Sequence, residues 1–353
     1  MIIRSYSNGF AVNDYTKEIN IIPNQWGTIG QLGIFQEEPV TQHVVVFEEV
    51  NFNGGLIVDR VRGERANVNG GHARKIHSFP VPHFPLDDLI SPQDVQGQRA
   101  YPTGNTGDAL VETLDLVRAR KIARIRMNHA WTLEYARAQA ITAGTVYAPN
   151  GTVVQNWNTE FGITRTSVDF LLGTSTTEIL DKINTCIAAI QDGATGATVT
   201  GTVVLTSPEF FARLIAHPAV KTAYQYYTST QEPLRQRMTA GGGDLANGQA
   251  QQTLAMNRQF VYGGTTFIEY RGSYNGSRLI PASTAFMVPL GTDAFRTYFS
   301  PANRFGLVNT MGEQVYLFET ENLSGTQIDL QSESNFVNAL LRPGLVVNLT
   351  SSN

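Results

Sequence analysis

The sequence predicts an α+β chain, and three observations carry that prediction. Residues 108–143 run 36 positions without a glycine or proline, which suits one helix of about 54 Å at ~1.5 Å per residue. Ahead of it, residues 41–85 alternate β-rich runs with turn signals. Behind it, short strands and helices alternate and then give way to strands alone, the pattern of a mixed sheet with helices on it. At 353 residues the chain exceeds the usual single domain of about 100–200, so two or three packed lobes are expected.

Taken in order, residues 1–40 scatter apolar side chains among turn formers (Asn8, Gly9, Pro23, Asn24, Gly27, Gly30, Gly33), too few in any window for an element of their own. They read as an extended N-terminal arm. HVVVFEEVNFNGGLIVDRVRG (43–63) gives two β-rich runs about an Asn53-Gly54-Gly55 turn. A second turn at Asn69-Gly70-Gly71 leads to a third run through Ile76, Phe79 and Val81. Two or three strands of this size cannot bury both faces alone, so the segment 41–85 needs a partner surface. Pro80, Pro82, Pro85 and Pro92 interrupt regular structure, and Leu86–Arg99 reads as a short connecting turn or helix.

Asn105 or Thr106 can cap the long helix, Asp108, Glu112 and Asp115 suit its positive N-terminal end, and Gly144 supplies a left-handed stop. At 100° per residue, Arg120, Lys121, Arg124, Asn128 and Arg137 share a polar seam. Ile122, Ile125, Leu133, Ala136 and Ala140 lie to one side of it, and Ala119, Ala123, Met127, Ala130 and Ile141 to the other, so both flanks should be covered. After the helix come a hairpin about Asn150-Gly151, a strand in ITRTSVDFLL, and a helix from Thr176 or Thr177 to about 192 ended by Gly193. The strand TVVLT (202–206) and a helix opened by Pro208 and broken at His217-Pro218 complete this stretch. Residues 229–250 read as a loop, and strands follow near 258–270, 279–289, 313–321, 325–331 and 344–349.

The composition sets limits on function. Hydrophobic residues reach 42% and fill a core, whereas charged residues are only 16% against a typical ~25%. Uncharged polar surface can be buried against other protein at low desolvation cost. A net charge of −4 argues against affinity founded on neutralising phosphates. Cys186 is the one cysteine, which excludes an intrachain disulfide and a multi-thiolate zinc site; its helical spacing with Ile179, Ile183 and Ile190 marks a packed core thiol. No signal-peptide pattern and no apolar run of membrane length occurs, so a soluble intracellular origin is expected. Asn150, Asn275, Asn322 and Asn348 open Asn-x-Ser/Thr triplets and read as turn residues.

Sequence motifs with specific chemistry are missing: there is no Gly-x-Gly-x-x-Gly, no Walker lysine loop, no Gly-x-Ser-x-Gly elbow and no His-Glu-x-x-His pair. His72, His77 and His83 are spaced for neither a helix face nor a strand face and read as exposed loop histidines. Asp87-Asp88 point apart on either regular element, and Gly241–Gly243 lack the lysine or helix start of a phosphate cradle. No catalytic residue, cofactor or metal ligand is therefore assigned. Arg118, Arg120, Lys121, Arg124 and Arg126 place five cations in nine residues; salt bridges to a neighbouring subunit or plain solvation is the favoured reading, weak contact with nucleic acid the other. In the arm-like segment, Arg60, Arg62, Arg65, Arg74 and Lys75 alternate with aliphatic residues beside Glu48, Glu49, Asp59 and Glu64. A charge-matched contact with another copy or a solvated hairpin accounts for that mixture.

The order of parts, together with GTIGQLGIFQEEPVTQHVVVFEE, RGERANVNGGHARKIHSFPVPHFP, VVLTSPEFFARLIAHPAVK, FVYGGTTFIEYRGSY and LIPASTAFMVPLGT, resembles the major capsid proteins of tailed phages, in particular the lambda-like capsid protein E family. The resemblance covers nearly the whole chain and implies the Hong-Kong-97-like capsid fold. It assigns an N-terminal arm (1–40), an extended loop (41–85), a peripheral domain (86–172 and about 300–335) holding a spine helix (108–143), and an axial domain (173–299 and about 336–353). It also implies a non-enzymatic virion protein that assembles in the host bacterial cytoplasm into pentamers and hexamers enclosing double-stranded DNA. Separate scaffolding and portal proteins, and possible decoration proteins, would be its partners, with no membrane involved. No Lys–Asn crosslink can be aligned.

On that reading the extended loop lies over a neighbour's spine through Val44, Val46, Phe52, Leu56, Ile57 and Val61, flanked by Arg60, Arg62, Arg65, Arg74 and Lys75. The spine presents Arg120, Lys121, Arg124 and Arg137. Two alternatives stay open: an encapsulin-type compartment shell, and a β-rich tail or carbohydrate-binding protein, which would show exposed aromatic platforms and no spine helix.

Overall fold

The computed structural model describes residues 2–5, 11–16, 19, 27–50, 74–96, 114–194, 197–225, 258–322 and 325–352. In chain order the first elements are β1 (Ile2–Ser5), β2 (Ala11–Asp14), the single turn α1 (Thr28–Gln31), β3 (Gln36–Pro39), β4 (Val44–Val50), β5 (Arg74–Pro80), β6 (His83–Ile90) and α2 (Pro92–Val95). The long helix α3 (Leu114–Ala143) follows, then α4 (Trp157–Glu160), β7 (Ser167–Asp169), α5 (Ile179–Gly193), β8 (Gly201–Thr206), α6 (Pro208–Ala216) and α7 (Pro218–Gln225). The remainder is β9 (Gln259–Tyr262), β10 (Thr265–Glu269), β11 (Ser273–Tyr274), β12 (Ser277–Arg278), β13 (Thr284–Leu290), β14 (Phe295–Phe299), β15 (Tyr316–Glu321), β16 (Ile328–Leu340) and β17 (Val347–Thr350).

Two large sheets organise these elements. One runs β1-β2-β15-β16-β14-β3 with β6 also paired to β16, and the other β7-β17-β13-β8-β10-β9. Strand β16 holds the first sheet together. Its N-terminal half pairs with β6 and β15, and its C-terminal half, Phe336–Leu340, with β14. The helix α3 lies on this sheet: Val117, Ile122 and Ile125 pack with Leu317 and Leu330, then Leu133 and Ala136 with Phe299 and Phe336. Its last turn, Ala138, Ala140 and Ile141, enters the larger core that includes the second sheet. Side chains alternate across β15, so Val315 and Leu317 face the helix while Tyr316 and Phe318 form a small cluster with Ala302 and Leu307.

The end of α3 explains its length. The last carbonyls of a helix have no intrahelical donor, and here the half-buried Arg165 guanidinium donates to Ala140 O at 3.1 Å, Thr142 O at 3.3 Å and also Ile141 O, while its Nε donates to Asn158 Oδ1 at 3.0 Å. Burial lowers its pKa to about 10. Gly144 sits at φ +71°, and a Cβ there would meet Asn158 and Arg165 within 3 Å, so the glycine stop is required both by backbone conformation and by space.

Several expectations change. The helix is described from Leu114, and 108–113 with the proposed caps Asn105 and Thr106 fall outside the described residues, as do Asn53–Gly55, Asn69–Gly71 and 229–250. The flank of Ala119, Ala123 and Met127 is exposed rather than covered, although Ala130 and Ile141 are buried; among the described residues no strand covers that side. Residues 1–40 do not lack elements: β2 pairs with β15, and β3 lies parallel to β14. Sheet edges supply backbone hydrogen bonds whatever the local hydrophobicity. For the same reason Leu86–Arg99 opens as strand β6 along β16, with α2 after it. The Asn150-Gly151 hairpin shrinks to a turn closed by the Thr145–Asn156 bridge. Helix α5 is preceded by Glu178 and includes Gly193, β14 was not foreseen, and Asn348 is a strand residue.

One more contact joins helix to sheet. His129 Nε2 lies 2.9 Å from Ser332 Oγ, whose hydroxyl is donated to Leu86 O at 2.6 Å, so Nε2 carries the hydrogen. Burial first, and the Arg126 charge second, lower its pKa to about 4. The unfolded chain titrates near 6.5 and so binds more protons between the two values; stability from this group is complete above about pH 6.5 and falls toward pH 4. Across that window the wild type should lose up to about 3 kcal/mol more than His129→Gln in urea unfolding. Arg165→Met, which strips the α3 carbonyls of their donor, should cost about 1–3 kcal/mol in the same assay.

Candidate assembly surface

Among the described residues, strands β4 and β5 pair only with each other, in a register that sets Val45 opposite Phe79 and Phe47 opposite His77. Alternation then gives the hairpin two faces. The inner face is clamped by aromatic rings: Phe79 meets Trp157 edge-on at 4.7 Å, Phe47 lies 5.3 Å from Tyr298, and His77 lies 5.1 Å from Phe161. His77, buried, bonds Glu160 Oε1 through Nδ1 at 2.6 Å. That bond, with Gln155 behind it, holds the Glu160 carboxyl below its ordinary range. His77 is thus no exposed loop histidine; Glu160, four positions into the α4 turn, gives it a partner that its local sequence does not reveal. His83, in β6, bonds Asn335 at 2.7 Å, and His72 lies outside the described residues.

The outer face is left open. Val44 is 42% exposed, Val46 55% and Ile76 67%, and the register brings Ile76 diagonally next to Val46. Arg74 and Lys75 are exposed too, with Arg74 3.5 Å from Glu48 of the same hairpin. Phe52, Leu56, Ile57, Arg60, Val61, Arg62 and Arg65 lie outside the described residues.

The polar seam of α3 divides. Arg120 and Arg124 are exposed. Lys121 turns to Asp88 at 3.4 Å and Asp94 at 3.2 Å, and Arg137 is buried, donating to Glu37 at 2.8 Å and Thr297 at 3.2 Å. Of the neighbouring cations, Arg118 grips Glu319 at 2.8 Å and Asp115 at 2.6 Å, and Arg126 donates to Gln314 at 2.8 Å. Lys121, Arg118 and Arg137 therefore find their carboxylates within this chain, from strands that the helix sequence alone cannot anticipate. Sequence reasoning also missed the loop between β14 and β15, where Phe305, Val308 and Met311 are exposed; they are scattered among turn formers with no regular spacing.

Among the described residues no group of three or more His, Cys, Asp or Glu is placed to hold a metal ion, and no helix is long and apolar enough to cross a membrane. Two sheets, a spine helix across both cores and a hairpin with one clamped and one open face make up the described geometry. A family model, phage major capsid protein E, matches residues 11–351. The chain belongs to that family. It is similar along its length to the major capsid protein of Pseudomonas phage KPP10, with 43% identity over 358 residues and 98% of each chain covered. To the major capsid protein of Salmonella phage Felix O1 it is 28% identical over 373 residues, covering 99% of this chain and 98% of the relative. Among solved structures it resembles the mature capsid of bacteriophage PhiM1 (TM-score 0.52, 12% identity, 94% and 89% covered) and the capsid of Cyanophage P-SCSP1u (0.50, 10%, 100% and 94%). At such identities the likeness is one of fold, and the fold is Hong-Kong-97-like. Phage major capsid protein E is a virion structural family, not an enzyme family.

The clamp is open to direct measurement. Hydrogen bonds to a charged group contribute about 1.5–3 kcal/mol, so His77→Ala should speed amide exchange in β4 and β5 by about tenfold or more relative to wild type, with α5 and β8 exchanging at the wild-type rate.

Proposed function

We propose that the chain forms pentamers and hexamers that tile an icosahedral shell around the double-stranded DNA of a tailed phage, and that the hairpin supplies its principal contact between copies. The observation that carries this reading is the asymmetry of the hairpin. Its inner face is anchored on the chain's own aromatic core, while Val44, Val46 and Ile76 remain in solvent. Exposed apolar area of this kind marks an interaction site, and membership of a capsid family identifies the partner as a further copy. Heterologous contacts of that sort close into rings when the rotation permits.

Within this reading the seven-stranded sheet with α3 forms the peripheral domain and the six-stranded sheet the axial domain. Strand β7 then passes to the axial part and β14 to the peripheral part, moving both boundaries, 172 and 300, toward the N-terminus. Residues 1–40 form the arm, which lends β1, β2 and β3 to the peripheral sheet, and 41–85 the extended loop. The exposed Arg120, Arg124, Arg74 and Lys75 serve contacts between copies. Net acidity fits DNA retained by a closed wall with weak, non-specific contact. Scaffolding, portal and any decoration functions fall to separate proteins, and assembly proceeds in the host cytoplasm. No chemical step is assigned to the chain. A 30-residue helix as the backbone of the fold speaks against a β-rich tail or carbohydrate-binding protein.

Deleting the whole hairpin would strip Val45 and Phe79 from the core, so substitution at the open face is the cleaner experiment. Val46→Asp with Ile76→Asp should leave the unfolding midpoint within about 0.5 kcal/mol of wild type yet abolish particles in size-exclusion chromatography and negative-stain imaging. Normal shells from that variant would remove the hairpin from the assembly mechanism.

A further inference from the structure

We propose that the loop joining β14 to β15, residues 301–314, is a second docking element for another copy of this chain, with Phe305 as its anchor. The inference rests on the self-assembly reading above and adds a contact that the hairpin does not supply. Phe305 is 96% exposed, Met311 63% and Val308 61%. Single exposed apolar residues are ordinary, but three large ones on a single short loop are not.

The loop is also held stiffly, which argues against accidental exposure. Asn335 Nδ2 donates to Pro301 O at 3.0 Å, and Glu333 Oε1 accepts the Asn303 N–H at 3.0 Å. The Tyr316 hydroxyl accepts the Glu313 N–H at 2.9 Å and donates to Met311 O at 3.2 Å. At the far end the Gly312 N–H bonds Val40 O at 3.0 Å, at a position where a Cβ would run into the Phe299 carbonyl. Leu307 packs down onto the Tyr316 and Phe318 cluster. The loop thus turns Ala302 and Leu307 inward and holds Phe305, Val308 and Met311 out on a fixed frame. A presented side chain that loses little freedom on docking makes an effective anchor.

Charge and continuity point to the occupant. Residues 305–311 carry no ionised side chain; of the two in the rest of the loop, Glu313 is exposed and Arg304 is engaged within the chain, its guanidinium 3.9 Å above the Phe318 ring and bonded to Gln331. The tip is therefore uncharged and suits an apolar protein surface rather than nucleic acid. Met311 shares a cleft of about 650 Å³ with Val44 and Val46 of the hairpin, and residues 41–43 share the adjoining depression with Phe305 and Val308. Loop and hairpin border adjoining depressions that share Thr41 and Gln42, with Val44, Val46, Phe305, Val308 and Met311 set among polar side chains, and the hairpin half is already assigned to a second copy. A stable interface takes about 800 Å² from each partner, more than three hairpin side chains offer by themselves.

The test is sedimentation velocity of the full-length chain over a concentration series, comparing wild type, Phe305→Asp, Phe305→Leu and Val46→Asp. Phe305→Asp should keep the wild-type melting temperature and need at least about tenfold more protein to assemble, whereas Phe305→Leu stays within about threefold. Met311→Asp repeats the test on the same surface should Phe305→Asp lower the melting temperature. Assembly of both aspartate variants at the wild-type concentration, with Val46→Asp still impaired, would overturn the loop proposal and leave the hairpin reading intact. A wild-type chain that stays monomeric at every concentration would overturn both.

Discussion

A carboxylate inside a protein survives only while every donor around it stays in place, and Glu134 sets that condition for this fold. It projects from the middle of α3 and accepts the Ile29 N–H and the Tyr270 hydroxyl at 3.0 Å each, with the Gly30 N–H at 3.4 Å. Burial raises its pKa, while the Ile29 N–H, the nearby Arg137, the Tyr270 hydroxyl and the Gly30 N–H pull the other way. One side chain thereby binds the N-terminal segment, the spine helix and the end of β10. The three segments cannot part without leaving a buried carboxyl unsatisfied.

Arg137 extends the same constraint by one helical turn. Its bonds to Glu37 and Thr297 fix β3 beside β14, and Thr297 passes the connection to Asn338 of β16 at 2.8 Å. The polar residues of α3 are thus divided by depth. Those near its C-terminal half are structural and buried, while Arg120 and Arg124 remain at the surface.

What could be foreseen from the sequence follows the range over which each signal acts. The helix was legible because the lack of breakers and the Gly144 stop are local facts, and α6 likewise because Ser207 and Pro208 mark its start. Arg165 as the helix cap was not, since its 21-residue separation from Gly144 has no local signature. Within HVVVFEEV every position from 44 to 47 is apolar, so alternation could not tell the clamped face from the open one. Tyr298 and Trp157 decide that, from more than 100 positions away. Strand β14, FRTYF, carries one charge and two polar groups and hides as a loop, and β16 was seen for only part of its length because its middle, SESN, is polar yet buried. The exposure of Phe305 was invisible because it is a property of the frame beneath it.

The pairing of β3 with β14 joins Gln36 to Arg296, and the hairpin's inner face waits on Tyr298 in the same way. At ~5–20 residues per second of synthesis, those partners leave the ribosome many seconds after the strands that need them. A stalled or truncated translation product can therefore neither seat its hairpin nor close its first sheet. Quality control comes with the topology: only a polypeptide synthesised past β14 acquires the shape that could be built into anything larger.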